Sequence, residues 1–507
     1  MKRFILAFLI TIVLVGCTGF QEQAVSEITV TRSIQEECLD VARPGDVCRV
    51  MAGTYREALT IRRSGTASQP ISLIADGVVT VNSGSDRSLV VKKNYGYYHI
   101  DGFRFVSSRS GSSDIDANVN FALDYWGDGH KQERGNDGFI LRNCYVEGSV
   151  YFYGSDNLVE NCEIDGKGRY QNGLIERSQP SEKNVFRNNK IHSFTVRGGW
   201  TLSQVENTLW EGNEIYDVEH GIDCDGAGEP VYDCRIINNH IHDVNSRGAE
   251  FENCFDCVFS NNHVDGAYYG FTVINYGPDV SSGGIEYRDD RINAVVENNI
   301  IENSHDGFVC WAAPGGVFRN NVLKNISTTS YWGAIGLADY GGFPCAGWEI
   351  MSNQFENSPR DWYIQNITGF TLEAQGNTYD SFGAVWSDRA INFTQWQALG
   401  FDIEQVPTPD TPTATSTATN TPKPPTATAT VKPTLIPPTA TNTPKPPTPT
   451  ATEAPLTNTP VPPTYTPAPT YTAFPPLPTY TPYPSPAPTM SCYPLVDEQP
   501  WPLVCYP

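Results

Sequence analysis

The sequence predicts an all-β protein: a right-handed parallel β-helix solenoid of about 10–12 coils, with an N-terminal capping helix and a disordered Pro/Thr-rich C-terminal tail. Two observations predict the solenoid. An Asn-Asn-x-aliphatic signature recurs as Asn188-Asn189-Lys190-Ile191, Asn238-Asn239-His240-Ile241, Asn261-Asn262-His263-Val264, Asn298-Asn299-Ile300-Ile301 and Asn320-Asn321-Val322-Leu323. Looser copies stand at Asn143-Cys144, Asn161-Cys162, Gly212-Asn213, Ser352-Asn353 and Gly376-Asn377, and most spacings run from about 22 to 27 residues. Each copy also follows a short apolar run such as Val185-Phe186 or Val258-Phe259, and precedes a Gly-led strand such as Gly221-Ile222-Asp223-Cys224-Asp225 or Gly248-Ala249-Glu250-Phe251-Glu252. Strands of three to five residues at this density suit neither leucine-rich nor helical repeats.

Asn accepts the left-handed backbone of a tight corner. Asn amides stacked at one register can also hydrogen-bond from coil to coil. The pairs therefore read as corners and a ladder, not as catalysts.

The chain begins with Lys2-Arg3 and an apolar stretch, residues 4–15, too short for a stable membrane span and shaped like an export signal. Residues 18–30 read as a spacer and 31–406 as the β-helix. The capping helix is expected across 33–42, where Ile34, Leu39 and Ala42 have helical apolar spacing, and a short amphipathic segment at 393–402 closes the far end. Residues 407–490 hold 26 of the 38 prolines and repeat Thr-Ala-Thr-Asn-Thr-Pro-Lys-Pro-Pro-Thr twice, an extended linker that cannot bury a core. A Cys-bracketed segment, 491–507, ends the chain.

Twelve cysteines besides Cys17 fit an oxidising compartment. Cys38 with Cys48, and Cys492 with Cys505, are expected partners. Cys144, Cys162, Cys234 and Cys257 are either bridged or small apolar rungs. The net charge of −23 disfavours nucleic acid as a partner, since a polyanion would be repelled. A monomer is expected.

Aligning the coils on Gly173, Gly199, Gly221, Gly248, Gly270, Gly307 and Gly333 turns the next residue inward. Strand alternation then sends the second and fourth residues outward as Ile175/Arg177, Thr201/Ser203, Asp223/Asp225, Glu250/Glu252, Thr272/Ile274, Val309/Trp311 and Ile335/Leu337. Two adjacent coils thus present four carboxylates, ~4.8 Å apart between coils, ~6.6 Å along a strand and roughly 8 Å on the diagonal. Like charges this close raise pKa values or recruit a cation, Ca²⁺ on Asp225, Glu250 and Glu252 being the expected one.

His220, Arg247 and Tyr269 each precede an aligned glycine. With the four carboxylates, His220 and Arg247 complete the candidate catalytic set. Arg177, Tyr269, Trp311 and Arg288, the last in a long insert at 275–292, are candidate substrate-binding residues; Trp311 is placed to stack on a sugar ring. Loops 126–137 and 166–172, the latter with Lys167, Arg169 and Tyr170, are candidate rims.

Two resemblances add to this reading. Leu14-Val15-Gly16-Cys17 resembles the lipobox of bacterial lipoproteins, which implies cleavage before Cys17, lipidation of its thiol and anchoring at the outer face of a bacterial membrane. The stretch 33–75 resembles the opening of β-helix polysaccharide lyases of the chondroitinase and alginate lyase type: a capping helix, Pro44-Gly45-Asp46, Gly53-x-Tyr55-x-Glu57, and Ser64-Gly65-Thr66 followed by Pro70-Ile71. It implies a pectin lyase-like fold and an extracellular carbohydrate context. Glu250-Phe251-Glu252 matches the Glu-x-Glu of chondroitinase-type lyases, but the Lys that follows it in those enzymes is absent here, and Arg247 is the substitute candidate base.

The expectation is therefore an exported β-helix protein that cleaves an acidic polysaccharide by β-elimination with carboxylate-bound Ca²⁺. A glycoside hydrolase using paired Asp/Glu, a non-catalytic glycan-binding or adhesion solenoid, and a merely solvated acidic face are the rivals.

Overall fold

The computed structural model describes residues 26–92, 94–109, 118–120, 136–177, 181–226, 230–275, 291–328, 332–338, 344–365 and 371–403. Cys17, Arg288, residues 126–135 and the segments 407–490 and 491–507 lie outside the described residues. Those described form a β-solenoid of about 11 turns. Strands pair in parallel from coil to coil as far as a last antiparallel hairpin, Ala384–Trp386 with Arg389–Ile391. Among the described residues no helix is long and apolar enough to cross a membrane.

The solenoid starts earlier than expected. Glu27–Val30, within the stretch read as a spacer, is a strand that pairs with Val47–Val50. The helix Gln35–Leu39 then covers the open end with Cys38 and Leu39 buried, and Cys38 is bridged to Cys48. The motifs of this region have structural work. Glu57 accepts from the Ile34 N–H and the Ser33 hydroxyl, tying the helix down. Asp46 accepts from the Arg43 N–H and the Ser26 hydroxyl. At the far end the helix Phe393–Ala398 is held by a capping box at Asn392 and Gln395, and it buries Trp396.

Each central coil contributes to three long sheets, and Ser181–Glu182, Val205–Glu206, Val231–Tyr232 and Cys254–Phe255 add a short fourth. The first carries strands such as Val185–Arg187 and Leu209–Glu211, the second strands such as Lys190–His192 and His263–Asp265, and the third strands such as Asn172–Arg177, Arg197–Leu202 and Tyr269–Ile274. Inward residues stack into one core: Phe186, Trp210, Ile236 and Phe259 from the first sheet, Ile191, Ile215, Ile241 and Val264 from the second, Ile222, Ala249, Phe271 and Phe308 from the third.

The two positions of each Asn pair divide the labour. Asn188, Asn238, Asn261, Asn298 and Asn320 take the left-handed backbone at the corner, with φ from +53 to +59. The second position, from Asn189 to Asn377, is buried and forms the ladder. Each Oδ1 from Asn213 onward accepts the N–H and an amide hydrogen of the Asn one coil earlier, at 2.8–3.1 Å. Cys162 N–H opens the run on Asn189, and Asp402 closes it by accepting from Asn377. Cys144 and Cys162 are buried free thiols, whereas Cys234 and Cys257 pair with Cys224 and Cys254, and Cys310 pairs with Cys345.

Candidate active site

The third sheet begins at a glycine corner. A Cβ on Gly221 would collide with the carbonyl of Gly248, and one on Gly248 with that of Gly270, so these positions are glycine because the coils approach too closely for a side chain. Downstream of the corner, Asp223 lies opposite Glu250 and Asp225 opposite Glu252. This is the two-by-two patch that the spacing predicts.

The register differs from the expectation in two coils. Gly198, not Gly199, aligns with Gly221, because Trp200 pairs with Asp223. Gly199 occupies the inward position, where the ring of Trp210 leaves no room for a Cβ. Trp200 and Leu202 are therefore the outward pair, while Thr201 is fully buried and accepts from Trp210 Nε1 at 3.0 Å. Likewise Phe308 pairs with Ile335, so Ala334 takes the corner and Gly336/Ala338 replace Ile335/Leu337 as the outward pair; Gly333, with φ +86, makes the turn one residue earlier. The shift brings Arg197 into one column with His220, Arg247 and Tyr269.

The patch is enclosed. Asp223 is 1%, Glu250 2% and Asp225 7% exposed, and Glu252 is half-buried. Asp223 Oδ2 accepts from Arg197 Nε at 2.7 Å and meets His220 Nδ1 at 3.0 Å. Trp200 Nε1 donates to Asp225 Oδ2 at 3.1 Å, and the Arg197 guanidinium lies 4.3 Å from the Trp200 ring centroid. Arg247 Nη1 and Thr272 Oγ1 each donate to Glu250 at 2.8 Å. Asp223 Oδ1 and Arg247 Nε are buried with no hydrogen-bond partner.

These surroundings split the carboxylates. Burial opposes ionisation of Asp223, but the His220 hydrogen bond and the charges of His220 and Arg197 outweigh it, and its pKa lies below the usual value. Burial, with the charge of Asp223, pushes Glu250 up to about 7. Burial together with the charges of Asp225, Glu250 and Asp223 pushes Glu252 up to about 9.

The flanking candidates fall into register with the patch. Arg177 lies two coils before Asp225, across Leu202, and Trp311 two coils after Glu252, across Ile274. Tyr269, Trp311, Trp332 and Tyr363 form an edge-to-face row with centroids 5.5, 5.6 and 5.5 Å apart. Tyr151, Tyr153, Ile175, Trp200 and Leu202 form an apolar cluster on the other side of the carboxylates. Loop 166–172 is not a rim of this face: Tyr170 is fully buried, and Lys167 and Arg169 pair with Asp165 and Glu147. Among the described residues, outside the disulfide-bonded cysteines, His/carboxylate donors converge in threes within 4.8 Å on the second sheet, as Glu163/Asp165/His192, Glu214/His240/His242 and His263/Asp265/Glu302.

Arg197, Trp200, Trp332 and Tyr363 were not expected. Arg197 was legible in principle, since it precedes the first glycine of Gly198-Gly199 as His220 precedes Gly221. Trp332 and Tyr363 stand in no repeated pattern.

A family model described as a right handed beta helix region matches residues 132–282. No curated protein matches the sequence. Among solved structures, a lacto-N-biosidase from Eubacterium ramulus is 10% identical, with 65% of this chain and 67% of that chain covered and a TM-score of 0.46. An alginate lyase from Paenibacillus sp. is 17% identical, with 70% and 95% covered and a TM-score of 0.33. The A-module of a mannuronan C-5 epimerase from Azotobacter vinelandii is 16% identical, with 66% and 87% covered and a TM-score of 0.37. The matched family model and the three-sheet coils together make this chain a right-handed parallel β-helix.

Proposed function

We propose that this chain is an exported carbohydrate-active enzyme, lipidated at Cys17, that hydrolyses a glycosidic bond on the third sheet, with Glu252 as proton donor and Asp223 as base. One observation carries the reading: neighbouring carboxylates are pushed in opposite directions, Glu252 up to about 9 and Asp223 below its usual value. Paired carboxyls with separated pKa values are the requirement for dividing acid and base roles. They stand on the diagonal of the patch, roughly 8 Å apart by strand geometry. That backbone separation is compatible with the ~6.5–9.5 Å between the carboxyl groups of inverting glycosidases, a gap that holds a water.

In this reaction Glu252 gives its proton to the glycosidic oxygen as the bond to the anomeric carbon breaks. Water attacks that carbon from the opposite face and its proton passes to Asp223, whose Oδ1 has no other partner. Arg197 and His220 hold Asp223 ionised and oriented. Asp225, across the rung from Glu252, helps keep the proton on it until a leaving group accepts it. Arg247 and Thr272 immobilise Glu250 between them. The half-exposed rings of Tyr269 and Trp311 offer apolar surface to sugar faces.

Ca²⁺ fits this set poorly. It takes about six to eight oxygens, whereas Glu250 is committed to Arg247 and Thr272, Asp225 accepts from Trp200, and two guanidiniums stand inside the cluster. The same guanidiniums favour a second reading, β-elimination on a uronate, whose carboxylate they would neutralise.

The test incubates the full chain with a panel of neutral and acidic glycans, with and without EDTA, following reducing ends, unsaturated-product absorbance and the anomer first released. Hydrolysis predicts new reducing ends insensitive to EDTA, no unsaturated absorbance, and inverted product. Unsaturated ends would replace it with the lyase reading. Glycan retention without any product would leave a binding solenoid.

A further inference from the structure

The strand Glu214–Asp225 belongs to two faces of the solenoid. Its end supplies Asp223 and Asp225 to the third sheet, and its start supplies Glu214 to the second. On that second sheet His240 lies opposite Glu214, His242 opposite Tyr216, and His263 opposite His240. Four of the chain's eight histidines, His192, His240, His242 and His263, are gathered there, which is more than an acidic solenoid surface requires.

We propose that Glu214, His240 and His242 form a binding site for a divalent transition-metal ion of the Zn²⁺ class. A carboxylate oxygen and one nitrogen from each imidazole lie within 4.8 Å of one another. His242 is oriented for the task. Its Nδ1 meets Asp243 Oδ2 at 2.9 Å. A carboxylate only accepts, so in the neutral imidazole the proton sits on Nδ1 and Nε2 presents a lone pair. That Nε2 has no hydrogen-bond partner and faces Glu214 Oε1 at 3.6 Å. In that tautomer two acceptors face each other with no hydrogen between them, and a metal cation reconciles them. A carboxylate behind the distal nitrogen of a ligating imidazole is the recurrent support of protein metal sites, because it fixes both tautomer and ring orientation.

The surroundings hold the other donors in place. The His240 ring stacks on His242 at 4.5 Å and on His263 at 4.9 Å. Lys190 Nζ approaches Glu214 Oε2 at 3.5 Å, leaving Oε1 to the site. Two imidazoles and one carboxylate suit Zn²⁺ and its first-row neighbours better than Ca²⁺ or Mg²⁺, which favour all-oxygen sets. His240 is exposed, so remaining coordination positions open to solvent. The two sister sets are weaker: His263 Nε2 is already bound to Glu302 at 2.8 Å, and Lys167 Nζ occupies Asp165 at 2.6 Å.

The experiment titrates the full chain, stripped of metal, with Zn²⁺ and Ca²⁺ by calorimetry and with Co²⁺ by visible absorption, beside His242→Ala, the double variant His240→Ala/His242→Ala, and Asp243→Asn. The expected result is one saturable equivalent per chain, with an imidazole-type Co²⁺ absorption band. His242→Ala weakens binding at least tenfold and the double variant abolishes it. Asp243→Asn, which removes no ligand, weakens it about 10–100-fold. Metal-free unfolding midpoints of all variants stay near wild type, since these side chains lie outside the core. Absence of saturable binding, tighter binding of Ca²⁺ than Zn²⁺, or undiminished affinity in the double variant would overturn the assignment; in the last case the ion sits on a sister set.

Discussion

Two columns of buried polar side chains run from coil to coil through the same solenoid, and they end in opposite states. The Asn ladder uses its hydrogen bonds: each amide from Asn189 to Asn377 donates to the next Oδ1, and Nδ2 also reaches a carbonyl of the preceding coil, such as Val159, Phe186 or Trp210. The carboxylate column of the third sheet leaves Asp223 Oδ1 and Arg247 Nε without partners and sets like charges opposite each other. A saturated buried network adds rigidity and specifies register, while an unsaturated one costs stability and is retained only where something else benefits. The contrast separates a scaffold from a site without reference to any substrate.

The largest expected effect falls on the unsaturated column. Asp223→Asn and Glu252→Gln each remove one proton-transfer group while keeping the shape. Either substitution is expected to lower kcat on whichever glycan of the panel is cleaved by about 10²–10⁴-fold, the usual contribution of a positioned acid or base. Circular dichroism of both variants should remain close to wild type, so that the loss is read in folded protein. A kcat within threefold of wild type for both variants would sink the assignment of this face as the active site.

Next in size is damage to the saturated column. Asn262→Ala deletes the Oδ1 that receives the Asn239 N–H and Nδ2, and the Nδ2 that bonds Ile236 and Asn299. Several buried groups lose their partners at about 1–3 kcal/mol each, partly offset by local relaxation. A net loss of about 3 kcal/mol is expected from urea unfolding, with kcat unchanged in the folded fraction. A loss under 1 kcal/mol would mean that the ladder follows from the fold rather than supporting it.

Much of this contrast was legible in the sequence, and the parts that were not have identifiable reasons. The Asn repeat showed the coil length, and the repeated glycine placed Asp223, Asp225, Glu250 and Glu252 on one face. The alignment slipped where the core demanded a second glycine. Gly199 is glycine to admit the ring of Trp210, so Gly198-Gly199 carries two constraints that look alike in sequence. The slip hid Arg197, the cation on which the ionised state of Asp223 depends. The row through Trp332 and Tyr363 was hidden for another reason: it arises from contacts between coils and has no period in the chain. Glu57, conversely, was read as part of a family pattern, and the structure gives it a local task at the capping helix.

A smaller effect distinguishes the two columns by their response to pH. Glu252 has an ordinary value of 4.5 and is pushed up to about 9 in the fold. The folded protein therefore holds a proton that the unfolded chain has released across this window. The stabilisation is complete below about pH 4.5 and is lost as pH rises through 9. Glu250, pushed up to about 7, adds to the loss over the lower part of the window. Amides do not titrate, so the ladder contributes no slope. Melting temperatures at pH 5, 7 and 9 should fall in the wild type, fall in parallel but lower in Asn262→Ala, and fall less in Glu252→Gln, which should exceed wild type at pH 9 by about 2 °C or more. Identical slopes in wild type and Glu252→Gln would show that the carboxylate is ordinary, and the acid role would fall with it.

The smallest effect concerns the aromatic row. Trp311 is half-buried, touches Tyr269 and Trp332 edge to face, and lies two coils from Glu252. Ile274 separates it in register from Glu252, so its contribution is to hold sugar in the ground state and the transition state alike. Removing such uniform binding raises KM and leaves kcat. An aromatic face contributes about 1 kcal/mol, so Trp311→Ala is expected to raise KM about fivefold with kcat within twofold. The informative failure is a fall in kcat at constant KM. In that case the ring acts only at the transition state, and the boundary between the carboxylates and their aromatic border would have to be redrawn to include it.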